Sequence, residues 1–248
     1  MGQIWIYTIV SVLVVSIISL VGVITLLLQK TLLKKLLLVF VSFATGALFG
    51  GIFFHLLPEV AEEGWNLQIS IYILAGIIVF FIFEKLIRWR HCHEPTSSEH
   101  PHPLGIMNLL GDSVHNFTDG LVIAGSYLAS IPLGLATTLA VIFHEIPQEI
   151  GDFGILIYAG YSKRKALFFN FLTALTAVLG ALVALIISSR IENISSYLVP
   201  FAAGGFLYIA GSDLLPELHK QTAISKSLIQ LFSLLLGIAV MALLIFVE

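Results

Sequence analysis

Charge is scarce in this chain. Asp, Glu, Lys and Arg make up 11% of its 248 residues, while hydrophobic residues reach 58%; a soluble domain carries about twice that charged share. A water-soluble globular protein is thereby excluded. No stretch is rich in Lys or Arg and the formal net charge is only -3, so neither nucleic acid nor a strongly charged partner is implied. Cysteine occurs once, at Cys92, which rules out an internal disulfide. The N-terminus lacks a basic region, and its first apolar run (4–28) is too long for a signal-peptide core. That run is expected to be a membrane helix.

What is abundant is long apolar sequence. Eight segments, 4–28, 36–58, 69–89, 105–129, 132–159, 166–189, 196–217 and 225–247, each come near the ~20 residues that cross a bilayer as a helix. They are continuous rather than alternating, which favours helices over barrel strands. The expected fold is a single all-α transmembrane domain over 1–248. Eleven of the twelve Lys and Arg residues fall on one side of it: Lys30, Lys34, Lys35, Lys85, Arg88, Arg90, Lys163, Arg164, Lys165, Lys220 and Lys226, against Arg190 alone. The positive-inside bias then puts both termini outside the cytoplasm, with a plasma (inner) membrane as the expected location. The cytoplasmic loop 90–104 holds His91, Cys92, His93, His100 and His102. These suit a borderline metal such as zinc, although a solvated polar linker would have the same composition.

An internal repeat links the second and seventh segments. One ends in His55-Leu56-Leu57-Pro58-Glu59 and the other in Asp213-Leu214-Leu215-Pro216-Glu217, and Gly46 and Gly204 align at the same offset of 158 residues. On the topology above the two copies run in opposite directions. Inverted repeats of three helices flanking a central pair, a 3+2+3 arrangement of helices 1–3 and 6–8 around 4 and 5, are a transporter architecture with its site near the midplane.

The central pair holds the chemistry. Segment four carries GDSVHNFTDG and segment five carries FHEIPQEIGD, separated by Ser130-Ile131-Pro132. His115 and Asp119 are i,i+4 neighbours, as are His144 and Gln148, and an antiparallel register around Ile131 sets Asp119 opposite His144 and His115 opposite Gln148. Asn116 and Glu145 sit one position round each helix. Ionisable groups at that depth are costly and point to a functional site facing other helices. Imidazole nitrogen with carboxylate oxygen fits zinc and its first-row neighbours better than calcium or magnesium. Pro147 frees a backbone carbonyl nearby, and Gly111, Gly120 and Gly151 permit close helix approach.

The pairing of HNFTDG with HEIPQEIGD resembles the ZIP family of divalent metal transporters, and within it the subfamily whose fifth span carries HEXPHEXGD. The likeness extends to HLLPE closing span two, NFLTALTAVLG in span six, DLLPE closing span seven and the His-bearing loop before span four. The resemblance implies eight helices arranged 3+2+3, homodimers in many members, and zinc, iron or manganese carried into the cytoplasm as substrate, with no organic cofactor. By motif match His115, Asp119, His144 and Gln148 form one site, and Asn116, Asp119, Glu145 and Gln148 a second, bridged one. Gln148 stands where the subfamily has histidine, which implies a weakened or single-metal site more tolerant of manganese or iron. Span six lacks an acidic residue that some members place near the second site, and Asn170 is the nearest polar substitute.

Flanking groups sketch a route. His55 and Glu59 are expected at the outer mouth with Glu62 and Glu63 beyond, Asp213, Glu217 and His219 at the inner mouth, and Glu149 and Asp152 between the centre and the cytoplasm. Glu84, beside Lys85 at the end of the third segment, is expected to snorkel or pair locally. Both site imidazoles must be neutral to ligate, so binding should weaken as pH falls. Two other readings differ in class. One is an intramembrane zinc hydrolase, because His144-Glu145-Ile146-Pro147-Gln148 begins like HExxH; it lacks the second histidine, and Pro147 interrupts the helix. The other is a metal sensor that binds without flux.

Overall fold

The computed structural model describes residues 2–26, 30–62, 64–89, 104–191 and 193–246. His91, Cys92, His93, His100, His102 and Glu63 lie outside the described residues. Among the described residues there is no strand, and the chain forms eight helical rods. Rod α1 is Gly2–Ile18, continued by a tighter 3-10 stretch at Ser19–Leu26. Rod α2 is Lys30–Gly51, extended by a π-helical turn at Ile52–Leu56 and a last turn at Leu57–Glu62. Then come α3 (Leu67–Trp89), α4 (Leu104–Ala129) and α5 (Ile131–Tyr158). Rod α6 runs Lys163–Ala174 and Thr176–Ser188 with an interruption at Leu175. Rod α7 is Ser195–Tyr208, a π-helical turn at Ile209–Leu214 and Leu215–His219, and α8 is Ile224–Leu244.

Six rods, over Gly2–Val23, Lys35–Glu62, Leu67–Lys85, Lys163–Ser188, Ser195–His219 and Ile224–Leu244, are long and apolar enough to cross a membrane. Large apolar side chains such as Leu74, Ile78, Leu231, Phe232 and Leu235 are exposed along α3 and α8, far more apolar surface than water tolerates on a monomer. The protein is an integral, multi-pass membrane protein. The helices outside this set, α4 and α5, are no shorter. They carry Asp112, Asn116, Asp119, His144, Glu145 and Glu149, every one of them buried against the other helices.

The α4–α5 reversal takes one residue. Ser130 is extended (φ -155°, ψ 156°) and its hydroxyl accepts the Leu133 amide at 3.2 Å, while Pro132 occupies the first turn, where no N–H is needed. Such a short turn leaves the two helices no option but antiparallel contact. At the far end of α5, Gly160 adopts φ +91° and the Tyr161 amide reaches back to the Leu156 carbonyl at 3.0 Å, a closure that favours glycine.

Packing follows the repeat. Rod α2 lies along α8, and α3 along α7. A Cβ on Gly46 would stand 2.0 Å from the Leu234 carbonyl oxygen in α8, and one on Gly204 would stand 2.0 Å from the Ile73 oxygen in α3. Both α2 and α7 also widen into a π-turn ahead of Pro58 and Pro216. A proline supplies no amide and crowds the carbonyl four residues back, and a wide turn relieves that crowding.

His55 sits in one of these turns. It is buried, and its Nε2 donates to the Met241 carbonyl of α8 at 2.9 Å, close to that helix's C-terminus. Carbonyls there lack helical partners and favour such a donor. His55→Leu should therefore lower the unfolding free energy of the detergent-solubilised protein by about 1–3 kcal/mol. Lost metal flux at unchanged thermal stability would instead put His55 on the route.

Candidate metal centre

Near the middle of α4 and α5, four side chains converge. His115, Asp119, His144 and Glu145 each contribute one ligand atom, and the four atoms lie within 4.8 Å of one another. His115 Nε2 stands 3.3 Å from His144 Nε2, 3.2 Å from Glu145 Oε1 and 3.8 Å from Asp119 Oδ2. His144 Nε2 stands 3.2 Å from Asp119 Oδ2 and 3.6 Å from Glu145 Oε1. Four ligands at the zinc–nitrogen and zinc–oxygen bond length of about 2.0–2.1 Å in a tetrahedron are about 3.3 Å apart. The spacing is therefore that of donors around one small cation. Two neutral imidazoles and two carboxylates also carry the charge that offsets one divalent ion.

Hydrogen bonding shows which atoms are ready. His144 Nδ1 lies 3.0 Å from the Ala140 carbonyl one turn back, which can only accept. The proton is thus on Nδ1, and the Nε2 lone pair faces the cluster. Both Asp119 oxygens and Glu145 Oε1 are buried with no hydrogen-bond donor. Orphaned carboxylate oxygens at this depth are expensive unless a cation completes them. The Phe206 ring packs edge-on against His144 with centroids 5.7 Å apart, an apolar wall on one side of the site.

The other side is open. A cavity of about 850 Å³ reaches from His115, Gln148 and Asp152 past Glu84 and Tyr208 to Asp213, Glu217 and Lys220. At the opposite end, Glu59, Ile69 and Val199 line a pocket of about 10 Å³. Between that end and the site lie the fully buried Leu48, Ile52, Ile123 and Tyr127. The site thus connects with one face of the molecule, and large apolar side chains pack on its other side.

The remaining candidates fall into groups. Asn116 is fully buried beside His115 with its amide oxygen unpartnered, while Gln148 is half-buried and lines the cavity with Pro147 and Gly151. Asp152, Asp213 and Glu217 line the same cavity, Glu217 pairing with Lys220 near its rim, and His219 is exposed. Glu149 is fully buried and accepts the Asn170 side-chain amide of α6. Glu59 is half-buried in the small opposite pocket, and Glu62 is exposed. Glu84, expected to snorkel or pair locally near Lys85, accepts the Tyr208 hydroxyl of α7. Asp112, which is not among the residues singled out from the sequence, is buried one turn before Asn116; its signal is the shared i,i+4 face.

Comparison with known proteins agrees with this geometry. The family described as ZIP Zinc transporter matches residues 3–105 and 94–245. Zinc transporter ZIP13 of Pongo abelii is 40% identical over 226 residues, covering 85% of this chain and 66% of that protein. The Zinc transporter ZIP13 homolog of Drosophila melanogaster is 34% identical over 278 residues, covering 84% and 77%, and Zinc transporter ZIP13 of Homo sapiens 34% over 264, covering 85% and 70%. The chain thus spans about two thirds to three quarters of these relatives' lengths. With the match running nearly end to end and a buried cluster of zinc-type donors at its centre, the chain belongs to the ZIP family of zinc transporters.

Proposed function

We propose that the protein carries a divalent metal ion, zinc before others, across a lipid bilayer and into the cytoplasm, by way of His115, Asp119, His144 and Glu145. The observation that carries this reading is the convergence of those four ligand atoms within 4.8 Å. All eight rods cross the membrane in a 3+2+3 arrangement, with α1–α3 and α6–α8 as inverted repeats about α4 and α5. The matching glycine contacts and π-turns of α2 and α7 support it. Spans α4 and α5 can be less apolar than the rest because their polar faces never meet lipid.

Direction follows from charge. The cavity opens on the end bearing Lys35, Lys85 and Lys220, which the positive-inside rule makes cytoplasmic. This is an inward-open arrangement, with Asp152, Asp213 and Glu217 along the way out. An ion arriving from the other face gives up its water to the four ligands, and the orphaned oxygens of Asp119 and Glu145 gain the partner they lack. Access to the two faces then alternates by movement of one helix group against the other.

The test is flux. Purified protein in liposomes loaded with a zinc-sensing dye should admit zinc, and excess unlabelled zinc should suppress entrapment of manganese or iron more than the reverse. Binding without flux for every metal tried would refute transport. Gln148 offers a finer prediction. Its neutral amide lines the cavity one turn from His144, so Gln148→His adds a stronger ligand. Calorimetric titration should show zinc binding tightened by about tenfold, or ~1.4 kcal/mol, with slower release in flux.

A further inference from the structure

Asp112 has no part in the ligand set above, yet it is 4% exposed and faces the interior. Both its carboxylate oxygens are engaged. Oδ1 accepts from Asn116 Nδ2 at 2.7 Å, and Oδ2 accepts from the Thr173 hydroxyl of α6 at 2.5 Å. The Asn116 nitrogen also donates to the Asp112 main-chain carbonyl at 3.2 Å. An Asn amide can be turned end for end, showing a cation either an oxygen that binds or a nitrogen that does not. Here the nitrogen end is held twice by Asp112. The oxygen end is left over, fully buried and without a hydrogen-bond partner, one residue from His115 and one turn before Asp119.

We propose that Asp112, anchored by Thr173, is a positioning residue that fixes the amide of Asn116 so that it presents oxygen, not nitrogen, to the transported cation. The inference rests on the metal-transport reading of the site. It also ties α6 to the ligands of α4, because Thr173 holds Asp112 from the neighbouring helix. An unpartnered buried carbonyl would ordinarily favour flipping to find a donor; the two acceptors of Asp112 hold it in place until a cation arrives.

The experiment compares variants of the full chain by calorimetric titration with zinc in detergent and by zinc flux in liposomes. Asp112→Leu removes the closer of the two acceptors, leaving only the main-chain carbonyl at 3.2 Å, and should weaken zinc binding about 10–100-fold, the usual effect of removing a group that orients a ligand. Asp112→Asn should lose far less. Its amide oxygen still accepts from Asn116, and its nitrogen donates to the Thr173 hydroxyl, whose own proton turns to the Asn170 carbonyl 2.8 Å away. Asn116→Asp alone sets two carboxylates against each other and should abolish flux. Joined with Asp112→Asn it rebuilds the hydrogen bond with the roles exchanged, and flux should return.

Damage from Asp112→Asn equal to that from Asp112→Leu would overturn the proposal, because Asp112 would then act through its charge. A double variant no better than Asn116→Asp would overturn it too, and this pair stays informative if Asp112→Leu fails to fold. The control is His115→Ala. Zinc flux that survives it defeats the transport site itself, whereas flux lost there but zinc affinity unchanged in Asp112→Leu defeats only the positioning role.

Discussion

Asp119→Asn should reduce zinc flux to that of protein-free liposomes and, at the same time, make the metal-free protein harder to unfold. Removing a buried charge usually destabilises a protein, because its partner is left uncompensated. Asp119 differs. It is fully buried, and neither of its oxygens receives a hydrogen bond. Of the two imidazoles within 4 Å of it, the closer, His144 Nε2 at 3.2 Å, offers a lone pair because the imidazole proton is spent on Ala140. In the absence of metal this carboxylate is a liability. An amide of the same size removes the charge and can point its N–H₂ at that lone pair, so the apo protein should gain about 1–3 kcal/mol. Zinc should protect the parent protein against heat by about 2.7 kcal/mol at a hundredfold excess over its dissociation constant, and the variant hardly at all. Thermal unfolding with and without zinc, beside flux, reads both halves. A variant that carries zinc normally, or whose apo form melts earlier than the parent, would contradict the assignment of Asp119 as a ligand kept costly for its cargo.

That site was legible in the sequence because its cost is legible. His115, Asp119, His144 and Glu145 stand out in apolar segments, and the short break at Ser130-Ile131-Pro132 makes their helices antiparallel neighbours. The register about Ile131 set Asp119 opposite His144, and the two lie 3.2 Å apart. That register did not pair His115 with Glu145, which it meets at 3.2 Å. A counting argument treats helices as flat ladders, whereas crossing helices bring together residues about one turn out of step. What the sequence hid are contacts made by third helices. Asp112 depends on Thr173 of α6, Glu84 on Tyr208 of α7, and His55 on the end of α8, and no spacing within one segment reveals any of these. Hydropathy has the complementary blind spot. It marks six rods and passes over α4 and α5, because the polar residues that make the site lower the apolar average of the helices that carry it.

The largest effects on folding should come from glycines where helices touch backbone to backbone. A Cβ on Gly120 of α4 would stand 1.9 Å from the Ala177 carbonyl oxygen of α6, and a Cβ on Gly180 of α6 would stand 1.9 Å from the Phe117 oxygen of α4. The contact is reciprocal, and the atoms in the way are backbone, which cannot turn aside as a side chain can. Even Gly120→Ala must therefore drive the two helices apart by about 1.5 Å to reach ordinary van der Waals contact, stripping the close packing on which membrane helices depend. Overpacking in a yielding core costs about 1–3 kcal/mol, and here the cost should lie at or above the top of that range. The damage is also functional in direction, because α4 carries His115, Asn116 and Asp119, and α6 carries Thr173. Separating them opens the Asp112–Thr173 hydrogen bond and displaces the helix that carries two of the four ligands. Gly154 supplies the contrast, with nothing within 4 Å of a Cβ placed there. Gly154→Ala should be neutral or stabilise by about 0.5–1 kcal/mol, the ordinary gain of alanine over glycine in a helix. Thermal unfolding followed by tryptophan fluorescence, with size-exclusion profiles for each variant, checks the pair. Equal melting of Gly120→Ala and Gly154→Ala would mean that α4 and α6 are not in backbone contact, and that the site is not held by the glycine seam between them.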